Sequence, residues 1–454
     1  MIGRTMEKQR YISKGRHLLF LTMTSKIIFF GIILLATGVP IEAFAPSCSQ
    51  LYKTPDRQHC QRPIPMIKLK MSTTGNSSSR APPRTGLAQT LLNWALESPL
   101  WKLILVPQAR ANIVETAEAN KIPWTAAKEW IQSQIPITEL EKELHDMSSI
   151  PPYYQKPFHA YETGNLSWEA AFEVEIASAA VGARNFPEYG SKGEDAFRGS
   201  FESALIEAGA NVPTNKGGAT IKIVDFGCGT GMSTRRLAKN FPQADQITGV
   251  DLSPYFIRIG KRLLELTPSS FHDGGPWVST IESDPRIEYF VGDAAKTSRV
   301  KELDGIEGTA DVVNIQFVLH ELPPDASRDM VDEAFRLLKP GGQLWICEMD
   351  FESPGYAAQR ANPLLFSLVR STEPYLDDYA ESITDLFSYI QIKSQLTKVV
   401  PATGRHFALV ATKGEASTTS VDCIMDDLRF DKDGNYRVED THLPTFKRKS
   451  ETKI

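Results

Sequence analysis

A short apolar stretch that begins at Ile221 leads into three closely spaced glycines, Gly227, Gly229 and Gly231. Glycines at this spacing let the backbone turn sharply and let a ligand approach the main chain where any Cβ would collide. The residues that follow predict a helix whose free N–H groups and positive dipole end face the turn. Twenty residues beyond Gly231, at the end of the next apolar stretch, Asp251 is placed to accept hydrogen bonds from a ribose diol. The sequence therefore predicts a nucleotide-type cofactor site on a strand–turn–helix unit.

The spacing of the glycines separates the classes of cofactor that such a loop can bind. A dinucleotide site requires G-x-G-x-x-G, whereas the third glycine here comes one residue early. Asp225 precedes the first glycine by two residues. A carboxylate at that point is unfavourable beside a pyrophosphate and suits a cofactor that has an ammonium group. The loop therefore favours a cofactor with an amino-acid portion.

Short apolar strands alternate with helices on either side of this loop. Strands are predicted at 221–226, 246–251, 287–291, 311–318 and 343–349, and helices at 233–240, 254–266 and 324–338. This alternation predicts an α/β fold with a parallel sheet that is covered on both faces. Two later strands, 395–400 and 405–412, are joined by a tight turn, which predicts an antiparallel pair at one edge.

The regions that flank the sheet differ from it in composition. The predicted units are a helical cap region at 86–218, a sheet domain at 219–413 and a polar tail with one hairpin at 414–454. Within the cap region, helices are predicted at 87–105, at about 117–130 and at 168–180. The third of these helices has two candidate N-caps, Asn165 and Ser167.

The first 85 residues have the composition of a targeting sequence. They contain thirteen Lys and Arg residues against three acids, a net charge of +10, which leaves −15 for the remaining 369 residues. A basic flank precedes an apolar run at 27–36 that is shorter than the roughly 18–20 residues of a membrane span. This pattern predicts a signal peptide at 1–43 and no stable span in the mature chain. Residues 44–85 contain one acid and many Ser, Thr, Lys and Arg, which is typical of a transit peptide.

The junction between these two segments is Ala43-Phe44-Ala45-Pro46. A signal peptide followed by a transit peptide with this junction resembles the bipartite presequences of algae with secondary plastids, in which the phenylalanine directs import. The resemblance implies a plastid location. An uncleaved anchor in an endomembrane and plain secretion are the alternatives.

Four motifs between residues 221 and 413 occur in the order typical of one family. The segments VDFGCGTGMST, GVDLSPYF, VGDA and LLKPGG resemble motifs of the class I S-adenosylmethionine-dependent methyltransferases. The resemblance implies S-adenosylmethionine as cofactor. It also implies a Rossmann-like sheet of seven strands in the order 3-2-1-4-5-7-6, with strand 7 antiparallel, and an N-terminal helical cap. By position, the implied cofactor-binding residues are Asp225, Gly227, Cys228, Gly229, Gly231, Asp251, Leu252, Asp293, Ala294 and Gln316.

Among these residues the resemblance assigns three distinct roles to the acids. Asp225 is expected near the amino-acid moiety of the cofactor, Asp251 at the ribose, and Asp293 at the adenine amino group. The sulfonium already makes the methyl carbon electrophilic, so alignment of the acceptor accounts for much of the catalysis. A general base is needed only when the acceptor has a proton to lose.

The segment after the fourth strand is where a base is expected. QFVLHEL at 316–322 resembles the corresponding segment of small-molecule methyltransferases, including ubiquinone and menaquinone methyltransferases. Here Gln316 replaces the usual Asn, and Glu321 replaces a second His. His320 is the candidate base, because its ordinary pKa is near neutrality, and Glu321 is its candidate catalytic neighbour. The alternative is that His320 only orients the loop.

The aromatic segment 153–161 is expected to close the pocket from the cap with an apolar wall and a few polar tips. His159 and Tyr161 are its candidate catalytic residues. The alternative is that these side chains anchor the cap to the core. Glu348 and Asp350, at the end of the fifth strand, are further candidates for contact with the acceptor, and the segment 371–375 is expected to contribute from the opposite side.

The predicted function is methyl transfer from S-adenosylmethionine to a small, moderately apolar acceptor by in-line displacement. The acidic body argues against a nucleic-acid partner, because binding to nucleic acid depends mainly on Lys and Arg. Five scattered cysteines without CxxC spacing predict no metal site. The alternatives are a protein or RNA methyltransferase and a non-catalytic regulatory protein that binds S-adenosylmethionine. The sequence leaves the acceptor, the methylated atom and the oligomeric state open.

Overall fold

The computed structural model describes residues 106–159, 161–214, 219–266, 283–303, 305–360, 366, 369–370, 372–414 and 424–437. The predicted signal peptide at 1–43, the transit segment at 44–85 and the helix at 87–105 lie outside these residues and stay predictions. Among the described residues, no helix is long and apolar enough to cross a membrane.

The described residues form one mixed sheet of eight strands. In chain order these are β1 Lys222–Phe226, β2 Gln246–Asp251, β3 Ile287–Val291, β4 Ala310–Gln316, β5 Leu338–Met349, β6 Ser394–Thr403, β7 His406–Lys413 and β8 Ile424–Asp427. Their spatial order is β3-β2-β1-β4-β5-β7-β6-β8, with β1 to β5 parallel and β7 antiparallel to both neighbours. The predicted α/β fold with strand order 3-2-1-4-5-7-6 is confirmed, and β8 extends the sheet beyond β6.

Helices cover both faces of the sheet. In chain order they are α1 Val106–Ala119, α2 Trp124–Ser133, α3 Ile137–Leu140, α4 Trp168–Asn185, α5 Gly193–Glu207, α6 Met232–Asn240, α7 Pro254–Glu265, α8 Pro324–Leu337, α9 Pro354–Arg360 and α10 Leu376–Lys393. Successive residues of β1 point to opposite faces, as the two-residue period of a strand requires. Val224 and Phe226 pack with α8 and α10, whereas Ile223 packs with α5 and α6. The central strands are therefore buried on both sides.

Two predicted elements are interrupted or shortened in the structure at a residue with positive φ. The single helix predicted at about 117–130 is wrong, because α1 ends at Ala119 and α2 begins at Trp124. Between them Lys121 has a φ of +63°, and Pro123 disfavours helical backbone at the residue before it. The strand predicted at 311–318 ends at Gln316, since Phe317 has a φ of +57°.

Helix α4 fixes the N-terminal cap to the sheet domain. Ser167, and not Asn165, caps this helix, because its hydroxyl accepts a hydrogen bond from the backbone N–H of Ala170 at 3.2 Å. Further along α4, buried Glu175 Oε1 accepts from Thr230 Oγ1 at 2.8 Å and from Arg235 Nη2 at 2.7 Å. Thr230 belongs to the glycine loop, so the cap is attached directly to the predicted cofactor site.

The part of the tail at 424–437 returns to the sheet. Strand β8 pairs in parallel with β6 and therefore ends at the same edge of the sheet as β5. Beyond β8, a single antiparallel bridge joins Phe430 and Tyr436. Arg429 Nη1 then donates to Asp350 Oδ1 at 3.1 Å, and the Tyr436 hydroxyl donates to Oδ2 at 2.6 Å. Asp350 is thus enclosed by the tail.

Candidate active site

The glycine loop follows β1 and has left-handed backbone at each of its three glycines. The φ angles are +66° at Gly227, +57° at Gly229 and +92° at Gly231, a region in which residues with a Cβ are strained. A Cβ at Gly227 would overlap Val318, and one at Gly231 would overlap the Tyr289 hydroxyl. At Gly229, in contrast, no protein atom lies within 4 Å of the position of a Cβ. The loop therefore leaves open space at Gly229.

Asp251, at the end of β2, borders this space. Its Oδ2 accepts a hydrogen bond from the backbone N–H of Gly229 at 2.9 Å, and its Oδ1 accepts from that of Ser253 at 2.8 Å. The Tyr154 hydroxyl, from the cap, also donates to Oδ1 at 3.3 Å. Burial raises the pKa of Asp251 to about 6, although these hydrogen bonds oppose the shift. The carboxylate is therefore fixed against the loop, next to the open space.

Asp225 has a different environment from the one that the resemblance implied. Its Oδ2 accepts from the hydroxyls of Ser233 at 2.7 Å and Thr234 at 2.6 Å, and its Oδ1 accepts from Asn314 Nδ2 at 2.7 Å. Burial raises its pKa. These bonds tie the end of β1 to the start of α6 and to β4, so in the structure Asp225 holds the loop in shape.

At the end of β3, Asp293 caps the following 3₁₀ helix, Ala294–Arg299. Its Oδ1 accepts from the backbone N–H of Ala295 at 2.9 Å and from the hydroxyl of Tyr153, again from the cap, at 3.2 Å. Ala294 is buried. Asp251 and Asp293 end adjacent parallel strands, so they lie at the same edge of the sheet as the glycine loop.

Three other implied cofactor residues differ in what they offer to a ligand. The Cys228 side chain is buried in the core below the loop, and burial raises its pKa. Leu252 is half-buried beside Asp251. Gln316, at the end of β4, accepts from Arg198 Nη1 at 3.3 Å and donates to Asn314 at 3.3 Å. Only the backbone of Cys228 is therefore available at the loop.

The turn after β4 brings His320 to the same edge. Phe317 adopts left-handed backbone, which is uncommon for a bulky residue and is found most often at functional sites. His320 Nδ1 lies 2.9 and 3.0 Å from the two carboxylate oxygens of Glu348, which is fully buried at the end of β5. Burial alone would lower the pKa of His320, but the Glu348 carboxylate outweighs it, and the pKa is raised.

Three further titratable side chains, His159, Glu321 and Glu373, lie near His320. His159 Nε2 lies 3.3 Å from Glu373 Oε1 and 3.8 Å from Glu321 Oε1. Asn165 Nδ2 donates to Glu321 Oε2 at 3.4 Å. Burial and the nearby His320 lower the pKa of His159, although 45% of its side chain is exposed. His159 is therefore neutral at physiological pH.

The carboxyl groups of Glu321 and Glu373 also have shifted pKa values. Burial raises the pKa of Glu321 and of Glu373 well above the ordinary value, and neighbouring acids add to the effect. Among the described residues, no Lys or Arg forms an ion pair with either of them. Among the described residues, Glu373 Oε2 is buried and has no hydrogen-bond partner. Burial of a polar atom without a partner costs free energy, so Glu373 Oε2 can accept or donate a hydrogen bond to a ligand.

Tyr161, which the sequence predicts as catalytic, makes its contacts within the cap. The Tyr161 hydroxyl donates to Glu173 Oε2 at 2.6 Å, and the Arg110 guanidinium lies 4.6 Å from the centre of its ring. Glu173 is also paired with Lys128 at 2.6 Å. Since the hydroxyl is used within this buried charge cluster between the cap helices, Tyr161 anchors the cap.

The sequence predicted Tyr154 as part of the pocket wall and Glu373 as part of the segment 371–375, but it predicted neither their partners nor any role for Asn165 beyond a helix cap. These residues lie 53 or more positions from His320 in the chain, so only the fold brings them near it. Glu373 offers one weak indication, because it is a charged residue between buried or half-buried neighbours in the segment after β5.

The residues at this edge fit S-adenosylmethionine. The space at Gly229 would be filled by a Cβ, as expected where a ligand contacts the main chain. Asp251 bonds to the backbone of Gly229, and Asp293 follows the adjacent strand β3 by two residues. The loop, Asp251 and Asp293 would hold the cofactor.

Comparison with known proteins agrees with this geometry. Residues 224–346 match the family model for a methyltransferase domain. The chain is 31% identical to an uncharacterised methyltransferase of Emericella nidulans over 33% of this chain and 49% of that protein. It is 31% identical to a carboxy-S-adenosyl-L-methionine synthase of Hydrogenovibrio crunogenus over 29% of this chain and 44% of that protein. It is 26% identical to a demethylmenaquinone methyltransferase of Clavibacter sepedonicus over 37% of this chain and 56% of that protein.

The chain thus spans about half the length of each of these relatives. Solved structures to which the chain is similar include an O-methyltransferase family protein from Burkholderia thailandensis. Its identity is 17% and its TM-score 0.36, over 67% of this chain and 72% of that chain. Residues 224–346 thus match a methyltransferase domain, and the residues at this edge of the sheet fit S-adenosylmethionine as its cofactor.

Proposed function

We propose that the protein transfers a methyl group from S-adenosylmethionine to a small, moderately apolar acceptor. The observation that supports this most directly is the open face of the glycine loop at Gly229, bordered by Asp251, with His320 at the end of the neighbouring strand β4. A donor site and a candidate base therefore lie at one edge of the sheet. Relatives whose names include small-molecule methyl acceptors support the class of reaction.

In this proposal each group of the chain has a separate task. When bound, S-adenosylmethionine supplies an electrophilic methyl carbon on a sulfonium. The glycine loop, Asp251 and Asp293 orient that cofactor, and the cap excludes water from it. Glu348 holds His320 through Nδ1, which leaves Nε2 to accept a proton from the acceptor. The base is used only if the acceptor has a proton to lose.

The side chains near His320 favour the proposal that the acceptor is uncharged. Glu321 and Glu373 have raised pKa values, so in the protonated form they can donate hydrogen bonds to a carbonyl or hydroxyl oxygen. No Lys or Arg of the described residues pairs with them, which disfavours a carboxylate or phosphate on the acceptor. An apolar molecule with one proton-bearing oxygen or an acidic C–H suits these side chains, and a quinol-type acceptor is the example that the relatives' names provide.

The test of this function is transfer of label. The purified chain without its first 85 residues is incubated with S-adenosylmethionine labelled in the methyl group and with a plastid metabolite extract fractionated by polarity. The proposal expects label in a small organic-soluble product. Label in protein or in RNA, with none in that fraction, would instead support the alternative macromolecular acceptors. Binding of S-adenosylmethionine without any transfer would support the regulatory alternative.

We also propose that the protein acts in a plastid. The support is the basic flank, the short apolar run and the acid-poor segment at 44–85, joined at Ala43-Phe44-Ala45-Pro46. The test is a fluorescent protein fused to residues 1–85 in an alga with a secondary plastid. Fluorescence in the plastid, lost on Phe44→Ala, is the expected result. Fluorescence in the endomembranes or the medium would contradict the proposal.

A further inference from the structure

Two consecutive tyrosines of the cap contact the two acids that the cofactor is expected to use. They lie on the 3₁₀ helix Pro152–Gln155. The Tyr153 hydroxyl donates to Asp293 Oδ1 at 3.2 Å, and the Tyr154 hydroxyl donates to Asp251 Oδ1 at 3.3 Å. One short turn of the cap thus bonds to the ends of both β2 and β3.

This turn is held in place by several bonds of its own. Gln155 Nε2 donates to the carbonyl of Ile150 at 2.7 Å and to that of Met147 at 3.1 Å. The Tyr375 hydroxyl donates to the carbonyl of Tyr153 at 3.2 Å. Pro152 at its first position fixes φ in advance. Because the backbone is anchored on both sides, the two hydroxyls are presented from a rigid support.

The tyrosines complete the hydrogen bonding of the acids on the cap side. An ionised carboxylate has about four positions for accepting hydrogen bonds. Asp251 uses two for the backbone of Gly229 and Ser253 and one for Tyr154. Its Oδ2, which accepts from Gly229 alone among the described residues, keeps a position for a ligand. The Tyr154 bond thus fixes the rotation of the carboxylate.

We propose that Tyr153 and Tyr154 are positioning residues of the cofactor site, supplied by the cap, which hold Asp293 and Asp251 in the orientation that accepts hydrogen bonds from the cofactor. This inference rests on the proposed function. Tyr154 has a second effect, because its hydrogen bond lowers the pKa of Asp251 against the larger effect of burial, which raises it to about 6. The other titratable groups that face Asp251 are Asp225, Glu321 and Cys228, and none of them is a cation.

A purely structural role for Tyr154 makes a different prediction. If its hydroxyl only anchors the cap, its loss weakens the cofactor site equally at every pH. If it keeps Asp251 ionised, its loss raises the pKa of Asp251, and the affinity for the cofactor falls most at low pH. The pH dependence of binding therefore separates the two roles.

The experiment is calorimetry of S-adenosylhomocysteine with the wild type, Tyr154→Phe and the matched control Tyr161→Phe, at about pH 6 and about pH 8.5. Tyr161 suits the control because its hydroxyl also bonds to a carboxylate within the cap. For Tyr154→Phe we expect binding about fivefold to tenfold weaker at the lower pH and within about twofold at the higher, since each unit of pKa is a factor of ten. Tyr161→Phe, which removes a bond that anchors the cap, should change the affinity by the same factor at both pH values.

Two outcomes would overturn the inference. Equal affinity of Tyr154→Phe and wild type at both pH values would show that the hydroxyl does nothing for Asp251. An equal loss at both would assign it to cap anchoring. No binding by the wild type would contradict the proposed function itself, so the two failures are distinguishable.

Tyr153→Phe provides the second variant. Asp293 is expected at the adenine amino group, so loss of the Tyr153 hydroxyl should reduce the preference for S-adenosylhomocysteine over its hypoxanthine analogue, which lacks that group. We expect the ratio of the two dissociation constants to fall by about threefold or more, because a misoriented acceptor loses much of one hydrogen bond. An unchanged ratio would remove Tyr153 from the proposal.

Discussion

The Nδ1 atom of His320 lies 2.9 Å from Oε1 of Glu348, although the two residues are 28 positions apart in the chain. Glu348 also accepts from the backbone N–H of His320 at 3.2 Å and from that of Met349 at 2.8 Å. The pair therefore connects the ends of β4 and β5. A carboxylate on one imidazole nitrogen orients the ring and increases the basicity of the other nitrogen.

If His320 is the base, His320→Ala should reduce turnover by about 10²–10⁴-fold, the usual contribution of general base catalysis. The affinity for S-adenosylmethionine should stay within about twofold, because His320 is not expected to contact the cofactor. Single-turnover kinetics and calorimetry on the same preparation measure both quantities. An unaffected rate would show that the acceptor needs no base and that His320 only orients the loop.

The Glu348 carboxylate should set the pH dependence of turnover. A base acts in its neutral form, so turnover should rise with pH through the raised pKa of His320, above the ordinary value of about 6.5. Glu348→Gln removes the charge that opposes the effect of burial. The midpoint of the pH profile should then move down by about one unit or more. A midpoint that stays in place would separate Glu348 from the titration of His320.

Two glycines of the loop, together with Gly209 outside it, provide a matched set of stability predictions. Gly231→Ala should destabilise the fold by about 2–4 kcal/mol, because left-handed backbone is combined with overlap with Tyr289. Gly229→Ala should cost only about 1 kcal/mol for the backbone but weaken cofactor binding by about tenfold or more, since its Cβ enters the open space. Gly209→Ala is the control. The φ of Gly209 is +93°, and no protein atom lies within 4 Å of the position that its Cβ would take.

Urea unfolding and calorimetry measure these effects separately. Gly209→Ala should match Gly229→Ala in the free energy of unfolding and the wild type in cofactor affinity. If Gly229→Ala bound the cofactor as tightly as the wild type does, the space at the loop would not be the cofactor site.

The tail should stabilise the sheet through Arg429. Its guanidinium bonds to buried Asp350 and lies between 5.1 and 5.9 Å from the rings of Phe387, Phe407 and Phe430. Arg429→Leu leaves a buried carboxylate without its cation, so we expect a loss of about 3–5 kcal/mol in the free energy of unfolding. Arg437→Ala, which disrupts a more exposed pair with Glu207, should cost less than about 1 kcal/mol. Equal losses in the free energy of unfolding for Arg429→Leu and Arg437→Ala would show that the contact of Arg429 with Asp350 adds no specific stability.

The framework of this site could be predicted from the sequence, because it depends on local patterns. The periodicity of the strands, the glycine spacing and the position of Asp251 each occur within one or two adjacent elements. The structure agrees with the predicted sheet order and with the loop at the end of β1.

The remainder depends on contacts between residues that are distant in the chain. Tyr154 and Asp251 are 97 positions apart, and Tyr153 and Asp293 are 140 apart. No periodicity indicates such pairs, and the same holds for the contact of Arg429 with Asp350. The contact between Tyr161 and Glu173 could not be predicted for the same reason. Glu173 is on a helix whose orientation is defined only by the packed cap.

The most direct test of the central claim is calorimetric titration of S-adenosylmethionine into the wild type and into Asp251→Ala, with Glu139→Ala, a half-buried carboxylate paired with Arg258, as the control. The account predicts saturable one-to-one binding to the wild type and to the control. For Asp251→Ala it predicts binding about tenfold weaker or more, because hydrogen bonds to a charged group are lost. Equal affinity of all three proteins, or no binding to the wild type, would contradict the account.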